Sequence, residues 1–444
     1  MSKFSRRKFL ATAGLSTASA IALNACTGGG EAPKTDTKAN TAASKSPESK
    51  VSAADAPEVT KAKLGFIALT DAAPLIIAKE KGLFAKYGMK DVEVLKQASW
   101  GTTRDNLALG SEAGGIDGAH ILTPMPYLLT EGKITNGKKV PMYILARLNT
   151  NGQGISIANE FKELKIALKS DSLKESFAKI KSGGKDVKCA VTFPGGTHDL
   201  WMRYWLAANG VDPDKDVNTI VVPPPQMVAN MKAGNMQAFC VGEPWNARLV
   251  AQNSGYTAFI TGEFWKDHPE KAFTMRADWV EKNPKATKAL LAAVLEAQVW
   301  CEQVENKEEM CKIIGADKWL KVPSVEILGR LQGKVDYGDG RTLDNPDLAM
   351  KFWKDAASYP FKSHDLWFVT EDMRWGYFDA DTDAKKLVDK VNREDLWKEA
   401  AKMIGKEADI PKSTSRGVET FFDGVKFDPE NPSEYLKGLK IKKA

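Results

Sequence analysis

Residues 192–205, TFPGGTHDLWMRYW, contain the signals that decide the fold. A short apolar run leads into a Pro-Gly-Gly turn, and an amphipathic helix is predicted to begin at Thr197 or His198 and to stop at Gly210. Glycines before a helix free backbone N–H groups, and the helix N-terminus carries partial positive charge. The stretch therefore predicts a strand, a turn and a helix with room for a small anion beside His198.

Strands and helices alternate on both sides of this unit. Strand candidates and amphipathic helices follow one another from Lys63 to Ala146, and the pattern restarts at Gly154. One helix is predicted from Ala73 to about Lys86. Such alternation favours mainly parallel sheets with ligands at the carboxyl ends of the strands. We predict an α/β fold of two lobes, with two mixed, mostly parallel sheets and a ligand cleft between them.

Composition and charge exclude several classes of function. The 444 residues are enough for two cores, and the composition is that of a globular protein. The formal net charge of +6 includes four basic residues within the first 25, a stretch without acids, so the remainder carries +2. This balance gives no support for nucleic-acid binding. The four histidines lack metal-ligand spacing, and neither a nucleotide-binding loop nor a serine-hydrolase motif occurs. We expect no metal, no cofactor and no enzyme activity.

The N-terminus has the pattern of an exported lipoprotein. Residues 5–10, SRRKFL, resemble a twin-arginine export signal, and the apolar segment that follows is too short for a membrane span. Residues 23–26, LNAC, resemble a bacterial lipobox, where cleavage precedes a cysteine that is then diacylated. We expect a signal peptide at residues 1–25 and lipidation at Cys26. A plain secretory signal with a chance cysteine is the alternative.

The rest of the chain is predicted to divide into a tether and two lobes. Residues 26–57 are small and polar, which is typical of a flexible linker, here lipid-anchored. Lobe I is expected at residues 58–150 and 269–444, and lobe II at residues 151–268. The expected location is the periplasmic side of the bacterial inner membrane.

Two further sets of residues are expected to be structural. Four cysteines are predicted to be buried free thiols: Cys189, Cys240, Cys301 and Cys311. Four tryptophans are predicted to support one lobe by packing: Trp353, Trp367, Trp375 and Trp397.

Five motifs occur together along the chain. They are AAPLIIAKEKGLFAKYGM (residues 72–89), GGTHDLW (195–201), GEPW (242–245), RADWV (276–280) with Asn283-Pro284 after it, and SHDLWF (363–368). Their combination resembles the solute-binding lipoproteins of the nitrate and bicarbonate ABC transporters of cyanobacteria and related bacteria. The resemblance implies a periplasmic-binding-protein fold of type II. It also implies a membrane permease and an ATPase as partners.

The resemblance also implies a set of binding residues. In the nitrate branch of that family the ligand contacts an aromatic residue, a glutamine, a histidine, a glycine amide and a lysine. Matching the motifs places these roles on Trp100, Gln153, His198, Gly242 and Lys271. The bicarbonate branch has a glutamine in place of His198 and a calcium-holding glutamate in place of Lys271. The chain departs from that pattern at both positions, which favours nitrate, with nitrite as a further ligand.

The chemistry of these residue types suits nitrate, a flat, singly charged ion that only accepts hydrogen bonds. Trp100 can cover its plane, Gln153 and Gly242 are neutral donors, and Lys271 supplies a cation. His198 can donate and would add charge as an imidazolium. We therefore expect a positively charged cavity that contains only donors.

Alternatives remain at this stage. Without the resemblance Gln153 is an ordinary turn residue and Lys271 a surface charge, Trp100 is equally suited to a core, and Gly242 could serve only the turn before Pro244. His198 could be an exposed residue at a helix start, but the glycines before it favour a functional role. Bicarbonate binding is the nearest alternative function. An enzyme related to the pyrimidine synthase of thiamine metabolism and a structural surface lipoprotein are more distant ones.

Overall fold

Two five-stranded sheets form the centre of the fold within residues 56–442, which the computed structural model describes. The predicted signal peptide and Cys26 lie outside these residues. The strands of the two sheets are β1 (Lys61–Phe66), β2 (Asp91–Lys96), β3 (Gly118–Leu122), β4 (Met142–Arg147), β5 (Gln153–Ile157), β6 (Lys188–Val191), β7 (Asn218–Val221), β8 (Ala238–Gly242), β9 (Tyr256–Ile260) and β10 (Lys271–Arg276). Two small ribbons follow, formed by β11 (Lys334–Asp336) with β12 (Thr342–Asp344) and by β13 (Glu419–Thr420) with β14 (Lys426–Phe427).

The two sheets have matching topologies. Sheet 1 has the strand order β2-β1-β3-β10-β4, and sheet 2 has the order β7-β6-β8-β5-β9. In sheet 1, β10 runs antiparallel to both of its neighbours, and in sheet 2 the antiparallel strand is β5. The chain crosses between the sheets after β4 and again after β9. The predicted α/β fold with two mixed, mostly parallel sheets is confirmed, and the exact lobe borders stay a prediction.

Helices cover these sheets. They are α1 (Ala73–Glu80), α2 (Leu83–Lys86), α3 (Trp100–Leu109), α4 (Met125–Thr130), α5 (Ser172–Ser182), α6 (Thr197–Ala208), α7 (Met227–Lys232), α8 (Trp245–Ala251), α9 (Thr261–Phe264), α10 (Ala277–Lys282), α11 (Pro284–Glu302), α12 (Lys307–Gly315), α13 (Ser324–Leu331), α14 (Lys362–Arg374), α15 (Ala384–Val391), α16 (Glu394–Met403) and α17 (Pro432–Gly438). Within the described part of the chain, none of them has the length and apolar character of a membrane span.

The helix predicted over residues 73–86 is two helices. The first ends at Glu80 and the second begins at Leu83. Between them Gly82 has a φ of +69°, a left-handed conformation that ends an α-helix. In contrast, α6 begins at Thr197 as predicted, and Gly210 with a φ of +76° lies just beyond its end.

Burial of the sheets agrees with their sequences. Strands β3, β5, β8 and β9 are buried along their whole length, as expected for strands with both faces covered. The predicted buried free thiols are confirmed for Cys189, Cys240, Cys301 and Cys311.

The C-terminal region contacts both sheets. Trp367 of α14 stacks on Trp201 of α6 with ring centroids 4.9 Å apart, and α6 follows β6 of sheet 2. The indole of Trp397 in α16 donates to Ser358 Oγ at 3.0 Å, and α16 packs against β4 of sheet 1. The prediction that these tryptophans support one lobe is wrong, because the region packs on both.

Candidate functional site

The carboxyl ends of the parallel strands in the two sheets meet. The backbone N–H of Thr70, in the loop after β1, donates to the carbonyl of Glu243 after β8 at 2.8 Å. The indole N–H of Trp245 donates to the carbonyl of Ala68 at 2.9 Å. Ligands of open α/β sheets bind at such strand ends. The two sheets therefore close over a common site.

Gly242 and Gln153 lie opposite each other in sheet 2. A Cβ atom at residue 242 would lie 3.2 Å from Oδ2 of Asp71, so the glycine lets the two loops approach. Gln153 is fully buried, and its Nε2 donates to Oε2 of Glu270. Its Oε1 has no hydrogen-bond partner among residues 56–442. The amide nitrogen that was expected to face an anion thus faces a carboxylate.

Lys271, the first residue of β10, is fully buried. Its Nζ lies 3.0 Å from Oδ2 of Asp71 and 3.0 Å from Oε2 of Glu270. Burial lowers the pKa of Lys271, but the two carboxylates outweigh burial and raise the pKa above its ordinary value. Lys271 therefore holds a positive charge inside the protein.

His120 orients Asp71. Its Nε2 lies 2.6 Å from Oδ1 of Asp71, and the backbone N–H of Ile67 donates to its Nδ1 at 3.4 Å. The ring proton therefore belongs on Nε2. Burial lowers the pKa of His120, so the ring is a neutral donor. Burial raises the pKa of Asp71, but Lys271 and His120 together bring it below its ordinary value, and Asp71 is ionised.

Glu270 is the second carboxylate beside Lys271. Its Oε1 accepts from Nε1 of Trp201 at 2.7 Å and lies 3.5 Å from Nδ1 of His268. Burial raises the pKa of Glu270 to about 7, against the opposing effect of Lys271. The expectation of a cavity with donors alone is wrong, because Asp71 and Glu270 place acceptors against the lysine.

Two buried nitrogen atoms nearby lack a partner. Trp100 is the first residue of α3, and its ring centroid lies 5.4 Å from that of His120. Nε1 of Trp100 and Nε2 of His198 make no hydrogen bond within the described part of the chain. A buried polar group left unpaired costs about 1–3 kcal/mol. Both atoms are therefore donors whose acceptor is not supplied by the described residues.

His198 is neutral in this environment. It is fully buried in the first turn of α6, and its Nδ1 lies 2.5 Å from Oγ1 of Thr192. Burial, together with the positive charge of Lys271, lowers the pKa of His198 well below its ordinary value. With the Thr192 hydroxyl donating to Nδ1, Nε2 carries the proton and is a donor. The imidazolium considered from the sequence is not expected to form.

The turn before α6 uses its own glycine N–H groups. Gly195 donates to Oδ2 of Asp199 at 2.9 Å, and Gly196 donates to the carbonyl of Phe193 at 3.1 Å. Asp199 also accepts from the hydroxyl of Tyr377. The prediction that the N–H groups of these glycines are free is wrong, because an aspartate and a carbonyl of the same stretch accept from them.

All five predicted residues lie where the sheets meet. Trp100 and Lys271 belong to elements of sheet 1, whereas Gln153, His198 and Gly242 belong to elements of sheet 2. The side chains among them are fully buried. A surface cavity of about 420 Å³ at the other end of sheet 1 is lined by none of the five.

Sequence reasoning missed Asp71 and Glu270. The available signal was a lysine expected inside a cleft, because a buried ammonium needs a carboxylate partner. Asp71 lies just beyond β1, and Glu270 directly precedes Lys271, so both were candidates for that partner.

Two α/β sheets of matching strand order, joined by two crossovers and closed over a buried charged cluster, define the class of two-lobed solute-binding proteins. The comparisons with known proteins identify the family. The profile described as the NMT1-like family matches residues 55–315. The chain therefore belongs to the NMT1-like family.

The chain is also similar to binding proteins whose ligands are named. The chain is 64% identical over 443 residues to the nitrate/nitrite binding protein NrtA of Synechococcus elongatus, across 100% of this chain and 99% of that protein. It is 45% identical over 449 residues to the bicarbonate-binding protein CmpA of the same species, across 99% of this chain and 98% of that one. The crystal structure of the periplasmic nitrate-binding protein NrtA from Synechocystis PCC 6803 superimposes with a TM-score of 0.85 at 65% identity, covering 87% of this chain and 100% of that one.

Proposed function

We propose that this chain is the substrate-binding component of an ABC transporter and captures nitrate, and also nitrite, for delivery to a permease. The observation that carries the proposal is the buried ammonium of Lys271 near the unpaired nitrogens of Trp100 and His198. Nitrate has one negative charge and three acceptor oxygens, so it satisfies these groups. The greater identity to the nitrate/nitrite binding protein than to the bicarbonate-binding protein supports the same choice.

In this proposal the ligand lies between the two sheets, in contact with Trp100, Gln153, His198, Gly242 and Lys271. The indole and imidazole N–H groups donate to its oxygens, and the ammonium attracts the negative ion. Because both sheets contribute contacts, the closed arrangement binds the ion better than an open one. Binding therefore favours closure.

The same proposal covers location and partners. The lipobox-like LNAC sequence supports a lipid on Cys26 and a tether of residues 26–57 on the periplasmic side of the inner membrane. Lobe I is taken as residues 58–150 and 269–444, and lobe II as residues 151–268. A permease and an ATPase are the proposed partners. The relatives are named as binding proteins, which supports a role in binding and not in catalysis.

Thermal unfolding with added anions tests the function. A ligand present at 100 times its Kd stabilises the folded state by about 2.7 kcal/mol. We expect nitrate to raise the melting temperature in a concentration-dependent way, while bicarbonate with calcium leaves it unchanged. A shift with bicarbonate and calcium alone would favour the bicarbonate alternative and contradict the proposal.

Trp100→Phe is expected to weaken nitrate binding by about tenfold to a hundredfold. The change keeps an aromatic ring but removes the unpaired N–H, and a hydrogen bond to a charged group contributes about 1.5–3 kcal/mol. Calorimetric titration with nitrate measures the effect. Trp319→Phe is the matched control, because Nε1 of Trp319 is also buried without a partner in residues 56–442, while its ring packs on Phe66 and Trp319 is not among the proposed ligand contacts. Equal affinity in the two variants would remove Trp100 from the site.

A further inference from the structure

Glu270 occupies the donors that the anion needs. Its Oε2 accepts from Nε2 of Gln153 and lies 3.0 Å from Nζ of Lys271. Both donors belong to the proposed nitrate site. An ionised Glu270 and a bound anion therefore compete for the same two groups.

The charges around Lys271 also disfavour a further anion. Asp71 and Glu270 face its single positive charge with two carboxylates. The histidines around them bring no compensating charge, because burial lowers the pKa of all three. They are His120, His198 and His268 (the last to about 3). A bound nitrate would be the third negative charge against one ammonium in a buried space.

The two carboxylates differ in how firmly they hold their charge. Asp71 is bound by His120 and Lys271, and their joint effect holds its pKa below the ordinary value even though burial raises it. Glu270 accepts from Trp201, Gln153 and Lys271, yet burial raises its pKa to about 7. Glu270 is therefore the carboxylate that protonates more readily.

We propose, on the basis of the function proposed above, that Glu270 takes up one proton from solvent when nitrate binds, so that the ion and a proton are captured together. The carboxyl O–H then donates to Oε1 of Gln153, the atom left unpaired among the described residues. This requires the Gln153 amide to turn over, which directs its Nε2 towards the anion. Nζ of Lys271 is released from Glu270 by the same step. Glu270 is a positioning residue that acts through Gln153 and Lys271.

Because nitrate binding is coupled to protonation of Glu270, the affinity for nitrate depends on pH in a defined direction. Below a pH of about 7 Glu270 is already protonated without ligand, so affinity is constant and no proton is taken up. Above that pH the unliganded carboxylate is ionised, and each bound nitrate takes up close to one proton. Affinity then falls by up to tenfold for each pH unit.

Calorimetric titration with nitrate in buffers of different ionisation enthalpy counts these protons. We expect the full mature chain to take up nearly one proton at pH 8 and nearly none at pH 6. Glu270→Gln is expected to take up none at either pH and to bind nitrate equally from pH 7 to pH 9. Glu419→Gln is the matched control, because contacts with His364 and Arg416 hold the pKa of Glu419 at about 2 although burial raises it, and it stays ionised throughout.

Each other outcome overturns the inference. Nitrate binding by the unmodified chain at pH 8 without proton uptake would refute it and leave the nitrate function intact, and this measurement needs no variant. Proton uptake that persists in Glu270→Gln but disappears in Asp71→Asn would show that Asp71, and not Glu270, takes up the proton. Failure of the unmodified chain to bind nitrate would contradict the function and this inference together.

Discussion

Lys271→Met is expected to weaken nitrate binding by about thirtyfold to several thousandfold. Methionine has a similar length, but it removes the ammonium that lies 3.0 Å from Asp71 and Glu270 and that is proposed to contact the ion. Removing one partner of a buried, hydrogen-bonded charge pair costs about 2–5 kcal/mol, and each 1.4 kcal/mol is tenfold in affinity. The Kd for nitrate, measured by calorimetric titration, checks the prediction.

Lys351→Met is the control that distinguishes loss of an ammonium at the nitrate site from general destabilisation of the fold. Lys351 is also buried, and its Nζ lies 2.6 Å from Asp267 and 2.6 Å from Asp355. Both variants leave carboxylates unpaired and should lower the melting temperature. Lys271→Met alone should lose nitrate affinity. An unchanged Kd in folded Lys271→Met would show that the lysine does not contact the ion.

Asp365→Ala is expected to destabilise the protein by about 3–5 kcal/mol. Asp365 of α14 and Arg147 of β4 are both fully buried, and Oδ1 of Asp365 lies 2.5 Å from the Arg147 guanidinium. Arg147 also donates to Thr123, whose hydroxyl donates to the carbonyl of Glu270. The substitution leaves an unpaired buried guanidinium, which is strongly destabilising. The free energy of unfolding from urea titration measures the loss.

Asp379→Ala provides the contrast for this second prediction. It removes an ion pair with Lys133 in which the aspartate side chain is 73% exposed. Exposed pairs contribute about 0–1 kcal/mol, so its unfolding free energy should change little. Similar losses of unfolding free energy in the two variants would show that the buried Arg147–Asp365 pair contributes no more to stability than an exposed pair.

The α/β class of the two lobes could be predicted from the sequence, but the order and direction of the strands within each sheet could not. Alternating apolar strands and helices predict α/β lobes, because local periodicity reflects which face of an element is buried. The antiparallel placement of β5 and β10 was not predicted, since it depends on contacts with strands far away in the chain. The break at Gly82 was missed because the apolar pattern continues across it.

In the candidate site, too, the hydrogen-bond partners of single residues could not be predicted from the sequence. The turn before α6 was correctly placed, but its amides are taken by Asp199 and by a carbonyl, which the spacing alone does not reveal. Lys271 entered the prediction through the family resemblance, because its pairing with Asp71 depends on the packing of sheet 1. The protonation behaviour of Glu270 depends on burial, which a linear pattern does not measure.

A crystal structure of the protein with bound nitrate tests the central claim most directly. We predict a nitrate ion between the two sheets, with its oxygens within about 2.7–3.2 Å of Nζ of Lys271, Nε1 of Trp100 and Nε2 of His198. A cation in that place, or nitrate bound while Lys271 and His198 face away from it, would contradict the account.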